Sequence, residues 1–478
     1  MRPFRPYTPD QVSLLPASPR EWLPEGHLAL FVNDLVDELD LSAILSTYET
    51  MERRGNLPYH PRMLIKLLIF GYCVGITSSR KIERATYQDL AFRYLSADQH
   101  PDHDSIAAFR QRHLAHLALL FVQILKLCQK AGLVSLGHVA LDGTKILANA
   151  SKHKAMSYER LQKIVGRCTL AARQKSEREL AEEVARLLDV ARRTDEAEDA
   201  EFGKGVRGDE LPKDLINRQD RLAKIRAAKA ELEAEAKERA TAQAEAAKAK
   251  CDRREETERA TGKKARGPAP KAPVDPSLAV PDPKAQRNFT DPQSRIMPTR
   301  GGFEQCYNAQ AVVDEKNQII IAAAVTDQPN DVRQLVPMAT LACQSAGRAP
   351  VELSADAGYF SSNAVGDPAL DEIALFVAVE RHVHDRIPDP PSQPADTPSQ
   401  EPASRVIDRM RDKLRSPEGQ AAYKKRKAII EPVFGQIKQG RGLRRFSVRG
   451  LGAVSAEWQL ICLTHNILKL FRAAHAPV

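Results

Sequence analysis

Nothing in the sequence is long and apolar enough to span a bilayer. Its longest apolar stretches, around 64–76 and 116–128, are short and interrupted, whereas a spanning helix needs about 20 consecutive apolar residues. The N-terminus, MRPFRPYTPDQVSLLP, puts proline and charge where a signal peptide would have an apolar core. Cysteine is thinly spread: Cys73, Cys128, Cys168, Cys251, Cys306, Cys343 and Cys462 are odd in number and never form C-x-x-C. That spacing argues against a disulfide framework and against a zinc site, and it suits a reducing cytosol. Aromatic residues are only 5% of the chain, with two Trp. So little stacking surface counts against a carboxylate-pair glycosidase. The expectation is a soluble, cytoplasmic protein.

What the chain does have is length and unevenly placed charge. Its 478 residues suffice for two or three domains. Lys and Arg total 71 against 62 Asp and Glu, a formal charge of +9. The excess is modest overall, but over 405–449 cationic residues far outnumber acidic ones. Such a region suits phosphate as a counter-surface, or it is a solvated basic face.

Composition divides the chain. Residues 1–26 are proline-rich and read as extended. From 27 to 132 the pattern is helical: RKIERATYQDLAFRYL (80–95) and DHDSIAAFRQRH (102–113) are amphipathic, and LAHLALLFVQILKL (114–127) is an apolar stripe. Asp104 or Ser105 is the expected N-cap of the 102–113 helix. Short basic helices suit a helix-turn-helix-like DNA module, and the same pattern also suits a plain bundle. LGHVALD (136–142) reads as a buried strand ending in Asp142. From 157 to 262 the chain is charged and alanine-rich. Leu180, Val184, Leu187 and Ala191 share one helical face, as do Leu215, Leu222, Ile225, Leu232 and Ala236 beyond the loop 202–212. This pattern predicts a coiled-coil hairpin, serving either as a dispensable solvated insertion or as a dimerisation arm or DNA clamp. Residues 263–302 form a proline-rich linker and return segment. FEQCYNAQAVVD (303–314) and QIIIAAAVTD (318–327) predict a β-hairpin, 331–346 a helix, and 350–356 and 373–380 two more strands. Residues 387–404 are a flexible proline-rich insertion, followed by helices over 405–415, 417–439 and 453–471. His382 and His384 form an H-x-H pair with no further ligands in view, and they read as structural.

With the hairpin set aside, the order is one of an α/β protein with a mixed five-stranded sheet and flanking helices. Asp142 and Asp356 each end an expected strand, with Gly143 and Gly358 just beyond to permit a sharp turn. Ligands of such sheets gather at the carboxyl ends of strands. Glu431, in KAIIEPVFGQIK, would join them from a late helix. Three converging carboxylates repel unless cations intervene. Hard oxygens suit Mg²⁺ or Mn²⁺, and a metal pair roughly 4 Å apart serves in-line phosphoryl displacement. Read singly, each acid has a plainer role: Asp142 and Asp356 as turn residues, Glu431 as an ion-pair partner of Lys427 or Lys438.

Six segments together give a more specific pointer: NLPYHPRMLIKLLIFGYCVGITSSRKIE, PDHDSIAAFRQRH, HVALDGTKILANASKHKAMSYERL, NFTDPQSRIMPTRGGFEQCYNAQAVVD, SADAGYFS and YKKRKAIIEPVFGQIKQGRGLRRFSVRG. In these the chain resembles the DDE transposases of bacterial insertion sequences, most of all the group numbered eleven-eighty-two. The resemblance implies a ribonuclease-H-like catalytic domain made of 133–156 and 303–478, preceded by the all-α region and interrupted by the coiled-coil insertion. It implies that Asp142, Asp356 and Glu431 bind two Mg²⁺ ions and catalyse DNA cleavage and strand transfer. Around the third acid, Tyr423, Glu431 and Lys438 match the family's Tyr, Arg, Glu and Lys signature. The Arg position, 427, holds Lys427, with Arg426 beside it. These four basic and aromatic residues, with Lys145, Lys152 and Lys154, are the expected contacts to double-stranded DNA, namely terminal inverted repeats and target. The chain would act as a homodimer or larger in that complex, at the bacterial nucleoid. The alternatives are a DNA-binding protein that has lost catalysis and a structure-specific nuclease of the same fold.

Overall fold

Val139, Ala140 and Leu141 are completely buried, which marks their strand as the middle of a sheet covered on both faces. In the computed structural model, which describes residues 18–49, 58–163, 218–261, 275–299, 301–380 and 402–475, that strand is β1 (His138–Leu147). On one side it pairs antiparallel with β5 (Gly302–Asp314), which turns through residues 315–319 into β6 (Ile320–Thr326). On the other side it pairs in parallel with β7 (Glu352–Ala355), and β7 with β8 (Ala374–Val377). Between β1 and β5 the short strands β2 (Ala155–Ser157) and β3 (Gln286–Asn288) pair as a separate ribbon. β4 (Arg295–Thr299) extends the main sheet by pairing with the start of β5.

The result is a mixed sheet of six strands, in the order β4-β5-β1-β7-β8 with β6 also on β5. The five expected strands are all there. The sixth, β4, falls in the stretch expected to be linker. β1 also runs five residues past Asp142, because β5 keeps supplying ladder partners as far as Leu147↔Cys306. Asp142 therefore lies inside β1. What stops beside it is the parallel pairing, whose last matched pair is Leu141↔Ala355.

The N-terminal region is helical, as expected, with different joints. Its helices are α1 (Leu28–Glu38), α2 (Ser42–Glu49), α3 (Pro61–Val74), α4 (Ser79–Gln88), α5 (Leu90–Leu95) and α6 (His103–Lys130). Residues 80–95 are two helices, not one, because Asp89 leaves the helical conformation and its carboxylate accepts from the Ala91 and Phe92 amides. Residues 102–113 and 114–127 are one helix, since nothing between them breaks a turn. Its N-cap is Asp102, not Asp104 or Ser105. The Asp102 side chain accepts from Ser105 N at 2.8 Å and from the Ser105 hydroxyl at 2.7 Å.

Of the expected coiled-coil hairpin, residues 164–217, where the first helix and the loop are expected, lie outside the described residues. The second half is α7 (Arg218–Thr261), a single 44-residue helix. Its buried stripe, Ile225, Ala228 and Leu232, packs on Tyr158 and Leu161. Arg287 of β3 pairs with Glu231 and Glu235 across the same contact. The proline-rich tract at 387–404 and the His382/His384 pair also fall mostly or wholly outside the described residues. The next helix, α8 (Leu335–Ala346), follows β6 as expected, and α9 starts at Pro402, slightly earlier than 405.

Two late helices close the structure. α10 (Pro417–Gly435) lies on β1, and α11 (Leu451–Ala474) packs against α3, α6 and β6. Between them Gln436–Gly440 form a π turn. Through α11 one continuous core runs from Ala29 to Ile467, uniting the N-terminal helices with the sheet. Among the described residues no single helix is long and apolar enough to cross a membrane.

Candidate active site

The parallel register brings the first two acids together. With Leu141 opposite Ala355, Asp142 and Asp356 come next on adjacent strands, side by side. Asp356 ends β7 and caps the turn that follows, accepting from Gly358 N at 2.8 Å. Asp142 accepts from Gly143 N at 2.8 Å and from Arg426 Nη1 at 3.1 Å. Burial pushes the Asp142 carboxyl up to about 6; Arg426 opposes that rise, while Asp356 and Asp331 add to it.

Alternation along β1 sorts the neighbours by face. Asp142 and Thr144 face α10. There Arg426 meets Asp142, and Lys438 Nζ donates to Thr144 Oγ1 and to the Lys145 carbonyl, both at 2.9 Å. The π turn sets this reach, so Lys438 is not two regular turns along the face of Glu431, as a plain helix would have it. Arg426 also lies over the Tyr423 ring, 5.7 Å from its centroid. Its Nε is buried with no partner. The arginine at this site is therefore Arg426, while Lys427 is exposed.

The opposite face of β1 shows an acid that the sequence reading passed over. A Cβ on Gly143 would come within 2.4 Å of Gln310 Nε2 and 3.0 Å of Asp331 Oδ1. Glycine is what lets this cluster close. Asp331 Oδ1 accepts from Asn308 Nδ2 at 2.6 Å and Gln310 Nε2 at 2.7 Å. Its Oδ2 is on the side of Gly358, whose added Cβ would stand 3.6 Å away. The Tyr359 hydroxyl, completely buried, donates to Gln310 Oε1. A signal for this was present: Asn308 and Gln310 are amides two residues apart in an otherwise apolar strand, which implies a polar partner on one face.

The remaining expected residues are dispersed. Glu431 is exposed on α10. Among the described residues no group of three or more His, Cys, Asp or Glu could hold a metal ion. The chemistry of Asp142 and Asp356 suits a hard divalent cation: two adjacent carboxylates, one of them pushed toward protonation. Their geometry gives a pair, and the third carboxylate is not gathered to it. Lys145 Nζ donates to the Pro329 carbonyl, Lys152 pairs with Glu304 at 2.9 Å, and Lys154 is buried.

Comparison with known families decides what kind of protein holds this site. Residues 17–112 match the model described as Transposase domain (DUF772), and residues 395–471 match Transposase DDE domain. The two matches support a DDE transposase of the insertion-sequence type. Searches of curated proteins and of solved structures gave no match. The first matched segment covers α1 to α5 and the start of α6. The second covers α10 with Tyr423, Arg426, Glu431 and Lys438. Asp142 and Asp356 fall outside both. Transposases with such a DDE domain generally use divalent metal ions.

Proposed function

We propose that this transposase cleaves DNA at the ends of its element and joins them to target DNA, using Asp142, Asp356 and Glu431 on a ribonuclease-H-like core. The observation that bears most weight is that Asp142 and Asp356 each directly follow the last matched pair, Leu141 and Ala355, on neighbouring parallel strands. The fold reading is supported by the strand order, a central β1 with an antiparallel hairpin on one side and two parallel strands on the other. Membership of group eleven-eighty-two rests on the sequence segments alone.

Bound Mg²⁺, or Mn²⁺ in its place, would neutralise phosphate charge and lower the barrier to attack by an oxygen nucleophile. Asp142 and Asp356 would hold it, with Glu431 completing the set when α10 settles on DNA. Arg426 keeps the Asp142 charge compensated in the free protein. Its buried, unpartnered Nε is a donor in waiting for a phosphate oxygen. Lys438, anchored on β1, lies along the path of a strand entering the site. Water is the first nucleophile and the freed 3′-hydroxyl the second, so no covalent protein–DNA bond is formed. Double-stranded DNA is the partner, and pairing two ends calls for more than one subunit.

A second reading, DNA binding without catalysis, is favoured by one observation: the exposed Glu431 leaves the carboxylate set open. One experiment separates the two. On DNA carrying the element's own termini, Asp142→Asn should abolish Mg²⁺-dependent strand cleavage and leave end binding intact. Cleavage retained in that variant removes Asp142 from the chemistry. Wild-type protein that binds but never cleaves, with Mg²⁺ or Mn²⁺, supports the silent protein. Cleavage of branched DNA without a joined product supports a nuclease.

A further inference from the structure

α3 and α4 meet at a tight corner. Their axes turn through 98° across residues 75–78. Two glycines make the turn possible. Gly75 takes φ +81°, and a Cβ on Gly71 would meet the Ile76 carbonyl at 2.5 Å. Two helices at about 90–120° on a turn of three or four residues form the frame that offers a second helix to a DNA groove. A bundle can use the same corner merely to pack, and the outer face of α4 distinguishes the two.

α3 is buried along most of its length, whereas α4 presents a whole stripe to solvent. Its inner face is Ile82, Ala85 and Thr86, all buried. At about 100° per residue, Arg80, Lys81, Arg84, Tyr87 and Gln88 fall within one arc of about 120° on the other side, with Arg84 in its middle. All five are exposed. Among the described residues none of the three cations has an ion-pair or hydrogen-bond partner. The acids of this stretch are engaged elsewhere: Glu83 Oε2 lies 2.8 Å from His103 Nδ1, and Asp89 accepts from the Ala91 and Phe92 amides. Tyr87, 56% exposed, stacks on His100 with ring centroids 3.9 Å apart.

We propose that α4 lies in the major groove of duplex DNA and reads terminal sequence there, with Arg84 set against base edges. The proposal rests on the DNA reading given above and names the surface that carries its sequence preference. Three cations on one face ask for a polyanion. The major groove, about 12 Å wide, admits an α-helix. Arginine and glutamine are side chains that pair two-pronged with guanine and adenine edges. Arg80 and Lys81, in the first turn, would reach the flanking phosphates. A protein or lipid partner would call for exposed apolar side chains, and of the five only Tyr87 has an apolar face.

The corner is also fastened to the catalytic end of the molecule. A Cβ on Gly75 would stand 2.4 Å from the Arg441 carbonyl oxygen. Arg441 is buried and gives Nη1 to Thr464 Oγ1 at 2.7 Å and to the Tyr72 carbonyl at 3.3 Å. Arg110 of α6 holds the turn itself, giving Nη1 to the Thr77 carbonyl at 2.8 Å. Arg441 directly follows the π turn whose Lys438 reaches Thr144 on β1. α4 is thereby held in a set position relative to the carboxylates, so the base pairs it reads determine which phosphate is presented to them.

The test uses the full chain in EDTA and two duplexes of equal length and composition, one carrying the element's own terminus and one with that sequence scrambled. Fluorescence anisotropy at one salt concentration gives the ratio of the two affinities. Arg84→Gln and Arg84→Lys should each narrow that ratio at least about tenfold. Lysine keeps the charge and loses the planar fork, so Arg84→Lys should change affinity for the scrambled duplex by less than about threefold. Dimethyl sulfate footprinting should show guanine N7 protected in the terminus by wild type and open to methylation with either variant. Thermal melting should match wild type, since Arg84 is exposed. A ratio unchanged in either variant, a loss shared equally by both duplexes, or protection that persists in the variants overturns the proposal. If wild type binds both duplexes without telling them apart, α4 reads no sequence and the DNA reading stands. If it binds neither, both fall.

Discussion

At the scale of single residues the site is governed by close approach. Gly143 is the point at which β1 comes nearest the Asn308, Gln310 and Asp331 cluster. Any side chain there must displace Gln310, which would stand 2.4 Å from the new Cβ. Gly143→Ala should therefore cost about 1–3 kcal/mol of stability, as overpacking does. It should also reduce strand cleavage by more than the lost stability explains, because Gln310 tethers Asp331 beside Asp142. Urea unfolding and a cleavage assay at a temperature where the variant is folded would check both. Unchanged stability would mean that the cluster yields freely. This residue-level detail was only half legible in the sequence. Asp142 and Asp356 stand out because each follows a short apolar run and precedes a glycine. Asp331 does not, since the residues that orient it lie on a different strand and meet it only through the fold. Arg426 was overshadowed by Lys427 for a similar reason: helix phase against the sheet, not spacing along the chain, decides which of two adjacent cations faces Asp142.

At the scale of elements, the sequence showed periodicity well and joints poorly. The hairpin β5–β6 is visible because apolar runs flank a short polar turn. The length of β1 was hidden, because GTKIL beyond Asp142 looks unlike a core strand and is held by pairing with β5. The α4–α5 joint was hidden as well, since Asp89 sits inside an apparently continuous amphipathic pattern. Its side chain takes two amides that the start of α5 would otherwise leave unpaired. Asp89→Ala should lower stability by about 1 kcal/mol, and Asp89→Asn should restore most of it. Urea midpoints of the three proteins make the comparison; an alanine variant as stable as wild type would show that the joint is set by packing alone. The π turn after α10 follows the same lesson. Gln436 to Gly440 contain no residue that demands it, but it lets Lys438 reach both Thr144 and the Lys145 carbonyl.

At the scale of the whole molecule, the N-terminal helices and the sheet are not independent. α11 lies between them: Asn466 brackets Ile320 with hydrogen bonds to its amide and carbonyl, while Glu457 accepts from the Tyr72 hydroxyl at 2.6 Å. His465, on the same helix, is 1% exposed and lies between Gln436 Oε1 and the Gln318 carbonyl, each at 3.0 Å. Burial pushes its imidazole down to about 3; nearby Arg441, Lys469 and Arg472 push the same way, and the Gln318 carbonyl pulls against them. In the unfolded chain the ring takes its proton near 6.5. The folded protein therefore resists a proton that the unfolded chain accepts. The contribution of neutral His465 is complete above about pH 6.5 and drains away as pH falls toward 3, at up to about 1.4 kcal/mol per pH unit. Urea unfolding between pH 7.5 and 5 samples the upper part of that window while the carboxylates remain largely ionised. His465→Asn should be less stable than wild type at pH 7.5 and should lose less stability on acidification to pH 5. If the wild-type and variant curves run parallel across that range, the joint between helices and sheet is not where this protein's acid sensitivity resides.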